Sequence, residues 1–219
     1  VIADLHTGLV IDGLGGIDTI SNVSIWAGAG NDQLTGGSLT RGADGIFVEN
    51  FRGYAGNDII NGNNIYSDGD AASMDRVDYS NNTSTQAINV NLATGIASDG
   101  LGGTDTLVDI DLIYGGAGND MITGSIGVEK FDGGAGSDTI NGGGGSDTVA
   151  YQQSTSGVIV NLSSSSITVD TSIYSVTGMT GTKTVVAGSA NDGMGGTDTL
   201  IAISSAQGSD FNDYLRGTD

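Results

Sequence analysis

The stretch GGAGSDTINGGGGSDTVAY, residues 133–151, contains one nine-residue phrase twice. Each copy opens with glycines, carries an aspartate at its sixth position (Asp138, Asp147) and has an apolar residue at its eighth (Ile140, Val149). An acidic and an apolar residue two apart, recurring every nine residues, do not fit the 3.6-residue period of a helix. The stretch therefore predicts short strands joined by glycine-rich turns.

The same phrase occurs elsewhere in the chain. GGAGNDMIT (115–123) and GSIGVEKFD (124–132) precede the quoted stretch in frame, the second with Glu129 at its sixth position. Isolated copies are AGAGNDQLT (27–35) and GYAGNDIIN (53–61). A fixed period of this kind indicates a repeat architecture in which each unit stacks on its neighbours.

A second, longer phrase recurs in the chain beside these nonapeptides. Its three copies are DGLGGIDTI (12–20), DGLGGTDTL (99–107) and DGMGGTDTL (192–200). Strand-like segments with alternating apolar residues precede them, namely INVNL (88–92), VIVNL (158–162) and a shorter IADL (2–5). The alternation predicts strands with one buried face.

The chain is therefore expected to be one continuous repeat region over 1–219, and a fragment of a longer chain. We predict three sub-units at about 1–74, 75–146 and 147–219, with insertions at 37–52 and 163–190. The second insertion is predicted to be a β-hairpin turning near Thr177–Gly181. The predicted fold class is all-β, a parallel β-roll or β-solenoid with short strands, interrupted by this hairpin.

The charge of the chain limits its partners. The chain has 26 Asp and Glu residues but only six Lys and Arg, which gives a net charge of −20. All the acids are Asp except Glu49 and Glu129. Such a charge repels nucleic acid and anionic membrane surfaces, so neither is expected as a partner. No apolar run approaches the roughly 20 residues of a membrane helix, so membrane insertion is not expected either. A cationic partner is indicated.

Calcium is the cation that this pattern favours. Glycines let the backbone turn sharply with its carbonyl groups pointing inward, and the aspartate adds a carboxylate. Ca²⁺ takes six to eight such oxygens at about 2.3–2.6 Å. Two nonapeptides would make one coil, so that Asp120 lies over Asp138 and Glu129 over Asp147 at about 4.8 Å. Carboxylates stacked this closely repel each other unless a cation lies between them.

Several calcium ions are thus predicted, held by the glycines and acids of both phrases. The candidate metal-binding residues are Asp12, Gly15, Asp18, Gly28, Gly30, Asp32, Gly56, Asp58, Asp99, Gly102, Asp105, Gly116, Gly118, Asp120, Gly134, Gly136, Asp138, Gly143, Gly145, Asp147, Asp192, Gly195, Asp198 and Asp213.

The nonapeptides GGAGNDMIT, GGAGSDTIN and GGGGSDTVA resemble the Gly-Gly-x-Gly-x-Asp-x-apolar-x pattern of RTX, or hemolysin-type, calcium-binding repeat proteins. The longer phrases are similar to the strand-containing variety of these repeats in large secreted bacterial proteins. The resemblance implies a β-roll that folds on calcium outside the cell after type I secretion. It implies a secreted or cell-surface location.

Catalysis is not expected within these residues. The chain has no His-Glu-x-x-His motif, no Gly-x-Ser-x-Gly elbow, no Cys and no phosphate-binding loop. His6, the single histidine, is expected to be an exposed strand residue.

The leading hypothesis is a structural module of a bacterial adhesin or surface-layer protein, with neighbouring repeats or copies of the same protein as further partners. The alternatives are an accessory module of a secreted enzyme acting on polysaccharide, protein or lipid, and a module that binds a surface glycan.

Overall fold

A computed structural model describes residues 1–11, 17–19, 24–37, 47–63, 73–174, 176–177 and 179–219. These residues form 23 β-strands and a short 3₁₀ helix at Thr171–Ile173. In chain order the strands are β1 (Ile2–Asp4), β2 (Leu9–Ile11), β3 (Ile17–Thr19), β4 (Ile25–Trp26), β5 (Gln33–Thr35), β6 (Phe47–Arg52), β7 (Ile59–Asn61), β8 (Ser73–Asp78), β9 (Asn89–Asn91), β10 (Ile96–Ser98), β11 (Thr104–Val108), β12 (Leu112–Tyr114), β13 (Met121–Thr123), β14 (Lys130–Asp132), β15 (Thr139–Asn141), β16 (Thr148–Ala150), β17 (Ile159–Asn161), β18 (Ile167–Asp170), β19 (Thr182–Val185), β20 (Ser189–Asn191), β21 (Thr197–Ile201), β22 (Ser205–Gln207) and β23 (Tyr214–Arg216).

The strands form two large sheets that the chain visits in turn. Sheet A has 14 strands, in the order β23-β17-β20-β21-β15-β13-β9-β10-β11-β7-β5-β1-β2-β3. Sheet B has seven, in the order β22-β16-β14-β12-β8-β6-β4, and all its pairings are parallel. In the nonapeptide region the chain alternates between the sheets, as β12, β13, β14, β15 and β16 do. The predicted all-β roll with parallel strands is confirmed.

The core between the sheets is thin because each strand contributes one central apolar side chain. Phe131 in sheet B and Ile122 in sheet A are both fully buried. Their neighbours along the sheets continue the same rows, Ile113 and Val149 beside Phe131, and Ile140 beside Ile122. The apolar residue at position eight of each nonapeptide thus fills the core, as the repeat pattern predicts.

Sheet A differs from the expected all-parallel roll in three antiparallel meanders. In each, three consecutive strands pair side by side, as β1-β2-β3, β9-β10-β11 and, with the hairpin insertion interposed, β17-β20-β21. The connections within the meander of residues 89–108 are too short for the crossover that parallel neighbours require, so the strands turn back. The third strand also pairs with the preceding coil, since β11 is parallel to β7 and β21 is parallel to β15.

The predicted hairpin lies in the third meander. Strands β18 and β19 are antiparallel, with Ile167 opposite Val185 and Asp170 opposite Thr182. Ile167, Val169 and Val185 of these strands pack with Ile159 and Val176 into a second, smaller apolar cluster, separate from the main core.

Residues 47–52, within the range predicted as the insertion 37–52, form strand β6 of sheet B. Phe51 lies in the core row between Ile25 and Val77. The sequence pattern did not show this coil because only one of the three glycines of the nonapeptide, Gly45, is present just before the strand. Residues 38–46 of the same range lie outside the described part of the chain.

Candidate metal centre

The acids of successive coils stack in a ladder along each sheet. The backbone N–H of Asp120 donates to Oδ1 of Asp138 at 2.8 Å, and that of Glu129 donates to Oδ1 of Asp147 at 2.9 Å. The predicted stacking of Asp120 over Asp138, and of Glu129 over Asp147, is therefore present. Each acid holds the loop beneath it through one carboxylate oxygen.

The glycines of the loops make room for these acids and for the neighbouring backbone. A Cβ on Gly133, the first glycine of its nonapeptide, would overlap Oδ2 of Asp138. Gly134 has a φ of +83°, and a Cβ there would overlap the carbonyl oxygen of Gly116 in the loop beneath. Only glycine combines this backbone conformation with such close stacking.

Six carboxylate oxygens are buried without a hydrogen-bond partner among the described residues, and they belong to Asp58, Asp99, Glu129, Asp138, Asp147 and Asp192. The six form three pairs, because in each pair one carboxylate acts on the pKa of the other. Asp99 is among the carboxylates that raise the pKa of Asp58, after burial and Asp32. Asp192 is among those that raise the pKa of Asp138, and Asp147 acts on the pKa of Glu129.

Burial and nearby carboxylates disfavour the charged forms of several acids in the two ladders. Burial raises the pKa of Asp138 to about 9, with Asp198 as the next cause. On the sheet B side, burial and then Glu49 raise the pKa of Asp75 to about 8. A buried carboxylate without a partner costs several kcal/mol to ionise. At neutral pH this arrangement requires either protons or cations.

A hard cation fits these sites. Beside the free Oδ2 of Asp99 lies the carbonyl oxygen of Gly56, because both atoms contact the point that a Cβ on Gly103 would occupy. Within the described ranges, no three Asp, Glu, His or Cys side chains gather closely enough to hold an ion by themselves. Carbonyl oxygens must therefore complete the coordination, which is the mixed oxygen set that Ca²⁺ accepts. Bound there, Ca²⁺ would neutralise the paired carboxylates.

Other predicted acids have both oxygens engaged. Asp105 accepts the backbone N–H of Asp58 on Oδ1 at 3.1 Å and the hydroxyl of Tyr79 on Oδ2 at 3.1 Å. Asp198 is held in the same way by Asp138, at 3.0 Å, and by the hydroxyl of Tyr151, at 2.9 Å. Both tyrosines are buried.

Two further acids of the ladder are engaged by backbone donors. Asp120 accepts the N–H groups of Ile88 and Gly116, both at 2.9 Å. Asp213 accepts those of Val158 and Ser209, also at 2.9 Å. These acids stabilise the coils through hydrogen bonds.

The remaining predicted residues fall into four groups. Asp12 and Gly15 lie outside the described residues, and Asp18 is placed only by its backbone in strand β3. Asp32 lies in the sheet A ladder, where its N–H donates to Asp58. The predicted glycines whose loops stack directly are Gly30 with Gly56, Gly116 with Gly134, Gly118 with Gly136, Gly143 with Ser125, and Gly145 with Gly127.

The last three predicted glycines do not contact a neighbouring loop through their Cβ positions. A Cβ on Gly28, Gly102 or Gly195 would meet nothing within 4 Å. Gly102 and Gly195 are required instead by their φ values of +104° and +108°.

Three acids of the sheet B ladder, Glu49, Asp75 and Asp111, are not among the residues predicted from the sequence. Each lies two residues before a buried apolar side chain, namely Phe51, Val77 and Ile113. The N–H of Asp75 donates to Oδ2 of Asp111 at 3.3 Å. A search for an acid two residues before an apolar residue, without requiring the glycines, would have identified them.

Comparison with known proteins agrees with this geometry. The RTX calcium-binding nonapeptide repeat matches the chain in four copies, at residues 12–38, 45–64, 99–128 and 123–151. The chain carries RTX calcium-binding repeats. The matches cover somewhat less than half of the chain, and residues 45–64 include strand β6 and its acid Glu49. No curated protein matches the chain.

RTX repeats bind calcium and occur in secreted bacterial proteins. No helix in the described part of the chain is long and apolar enough to span a membrane.

The outer face of sheet B carries an exposed aromatic side chain beside cations. Trp26 is 61% exposed, and the guanidinium of Arg52 lies 5.2 Å from the centre of its ring. Arg52 also forms an ion pair with Asp78 at 2.8 Å. On the same face the guanidinium of Arg76 lies 4.5 Å from the ring centre of Tyr114. Trp26 therefore lies on the surface and does not cover the core.

Proposed function

We propose that the chain is a structural module that folds on calcium outside the cell, within an adhesin or surface-layer type of bacterial protein. One observation carries the proposal: six buried carboxylate oxygens have no partner among the described residues, and they fall into three pairs. Because unpaired buried charges oppose folding, the calcium-free chain stays loose at neutral pH.

The calcium concentration of the compartment then controls whether the chain folds. Calcium sites in extracellular modules bind at about 10⁻⁴–10⁻³ M, so external calcium fills them while the low calcium of a cytoplasm does not. Ions that bind only the folded state stabilise it by mass action. The net charge of −20 keeps the chain expanded before it meets calcium.

A calcium titration of protein held in chelator tests this proposal. We expect a cooperative gain of β-structure in far-UV circular dichroism and a smaller hydrodynamic radius near millimolar calcium, with no such effect from magnesium. A protein that is folded and equally stable in chelator at neutral pH would refute it.

Glycan binding is a second candidate, favoured by the exposed ring of Trp26 beside Arg52. A flat aromatic ring offers a stacking surface for a sugar, and the adjacent guanidinium suits an acidic one. Screening the calcium-loaded protein against immobilised glycans, with Trp26→Ala as the matched variant, tests this candidate. Binding that is absent, or that is equal in the variant, removes the candidate.

A further inference from the structure

A cavity of about 270 Å³ lies between the hairpin insertion and the turn at residues 192–196 of the third meander. The hairpin insertion lines one side of it with Val176, Thr177, Met179 and Lys183. Residues between Asn191 and Thr197 line the other side. The corresponding turn of the second meander, residues 99–103, has no hairpin beside it, because residues 92–95 alone join β9 to β10. The cavity is therefore a product of the insertion.

Lys183 is the one basic residue among the described residues that line this cavity. It lies directly opposite Val169 in the hairpin, so the two side chains are on the same face of the hairpin. Val169 is buried in the smaller apolar cluster, so this face is the one that packs on the roll. Among the described residues, no acid forms a salt bridge with Lys183. In a chain with a net charge of −20, a cation placed in this way indicates an anionic ligand.

The opposite side of the cavity offers hydrogen-bonding groups that suit alcohols. The side-chain amide of Asn191 donates to Oγ1 of Thr197 at 2.9 Å, so the amide oxygen of Asn191 can still accept and the hydroxyl of Thr197 can still donate. Across the cavity, the hydroxyl of Thr177 donates to Oγ of Ser156 at 2.9 Å and keeps its capacity to accept. Ligand hydroxyl groups, which both donate and accept, match this set.

The other lining groups limit the size and the charge of the ligand. Val176 belongs to the smaller apolar cluster and Met179 packs against it, so together they offer an apolar surface for C–H groups. Asp192, also in the lining, opposes a second negative charge on the ligand. Pockets for drug-sized ligands measure about 300–1,000 Å³, so this slightly smaller cavity suits a single ring.

The two sides of the cavity are fixed to each other by a buried serine. Oγ of Ser156 accepts the backbone N–H of Thr177 at 3.0 Å, and its hydroxyl donates to the carbonyl of Gly193 at 2.6 Å. The turn itself is closed by Asp192, which accepts the N–H of Gly196 at 2.8 Å. A preformed cavity lowers the entropy cost of binding.

We propose that this cavity binds a single sugar ring that carries a carboxylate, such as a uronic acid. Lys183 binds the carboxylate, Asn191 and Thr197 bind ring hydroxyls, and Met179 contacts the C–H groups of the ring. The site is separate from the Trp26 surface, which lies on sheet B. It requires the folded chain but no particular set of calcium ligands.

Methyl NMR of the calcium-loaded protein tests this proposal, because Met179 is a reporter within the cavity. The four methionines would carry ¹³C-labelled methyl groups, and the protein would be titrated with sodium D-glucuronate. At the efficiency of ordinary small ligands, a molecule of about 13 non-hydrogen atoms binds with a Kd of about 1 mM. We expect the Met179 resonance to shift with such a Kd. The resonances of Met74 and Met121, in strands β8 and β13, should stay in place.

Two substitutions show whether the charge of Lys183 matters. Lys183→Gln should weaken glucuronate binding by at least about tenfold, because a hydrogen bond to a charged group is lost. The matched control is Arg216→Gln, which removes an exposed cation of the same sub-unit that pairs with Asp219 at 3.2 Å. The control should bind glucuronate with the wild-type Kd.

The proposal is overturned if the Met179 resonance does not shift at glucuronate concentrations well above the expected Kd. Equal affinity of wild type and Lys183→Gln for glucuronate also overturns it. The same holds if wild type binds D-glucose or sodium acetate as tightly as glucuronate, because the carboxylate and the ring would then not act together. This last comparison uses wild-type protein, so it decides the question even if the Lys183 variant does not fold.

Discussion

Acid should replace calcium in folding this chain. Burial raises the pKa of Asp138 to about 9 and that of Asp75 to about 8, from an ordinary value of 3.8. The folded state therefore holds protons on these groups more tightly than the unfolded state does. The resulting stability is fully present below pH 3.8 and is lost as pH rises through the raised values.

The size of the effect follows from these two groups. Each pKa unit corresponds to about 1.4 kcal/mol, so each group loses about 3 kcal/mol of stability between pH 5 and pH 7. Together Asp138 and Asp75 lose about 6 kcal/mol over this interval, which equals a large part of the 5–15 kcal/mol that holds a typical domain. The pKa values of Asp105 and Asp198, raised by burial to about 7, add to the loss.

The assay is urea unfolding of calcium-depleted protein at pH 5, 6, 7 and 8, followed by far-UV circular dichroism and hydrodynamic radius. We expect folded protein near pH 5 and largely unfolded protein at pH 8. Saturating calcium should restore folding at pH 8. Asp138→Asn cannot ionise at this position, so its calcium-free stability should fall less between pH 5 and pH 8, by roughly 3–4 kcal/mol. Asp170→Asn, at an exposed position, should leave the slope unchanged.

Calcium-free stability that is constant or that increases from pH 5 to pH 8 would refute this reasoning. It would mean that the buried acids ionise at little cost without a cation.

Two other substitutions test the hydrogen bonds and the backbone. Tyr79→Phe removes the buried hydroxyl that donates to Asp105 and should cost about 1–3 kcal/mol in urea unfolding at saturating calcium. Tyr174→Phe should change little, and an equal loss at both positions would contradict the role of the Tyr79 hydroxyl. Tyr54 has a φ of +65°, so Tyr54→Gly should stabilise the protein by about 0.5–1 kcal/mol in the same assay, while Tyr54→Ala should not. A glycine variant no more stable than the alanine variant would show that the backbone is not strained there.

The nonapeptide coils could be predicted from the sequence because their determinants are local. The acid at position six and the apolar residue at position eight recur in frame from Asp120 to Val149, and this spacing fixes both the ladder and the core row. The stacking of Asp120 over Asp138 could be predicted from the single assumption that each coil contains two nonapeptides. Strand β6 was not predicted because Glu49 and Phe51 keep the acid-x-apolar spacing but lack most of the glycines that mark a nonapeptide.

The meanders could not be predicted because their pairing is not local. Nothing near Leu107 indicates that it will lie beside Ile60 in sheet A, as it does. The two aspartates of the longer phrase cannot be distinguished from the sequence. In the structure the second one, Asp105 or Asp198, accepts a hydrogen bond from a buried tyrosine hydroxyl, and the first does not. In the sequence each of these tyrosines ends a Val-x-Tyr triplet, which does not indicate the aspartate that its hydroxyl will contact.

The order of strands in sheet A limits where this chain can be divided. Strand β9 comes before β11 in the chain, but in the sheet it lies two places farther from β7. A polypeptide shortened to end between residues 92 and 103 would contain β9 without the strand that joins it to the earlier coils. The free edge of β7 would then invite pairing with other chains. Fragments for expression should therefore end near residue 78, or between residue 123 and the start of the third meander at Ile159, so that each retained meander is whole.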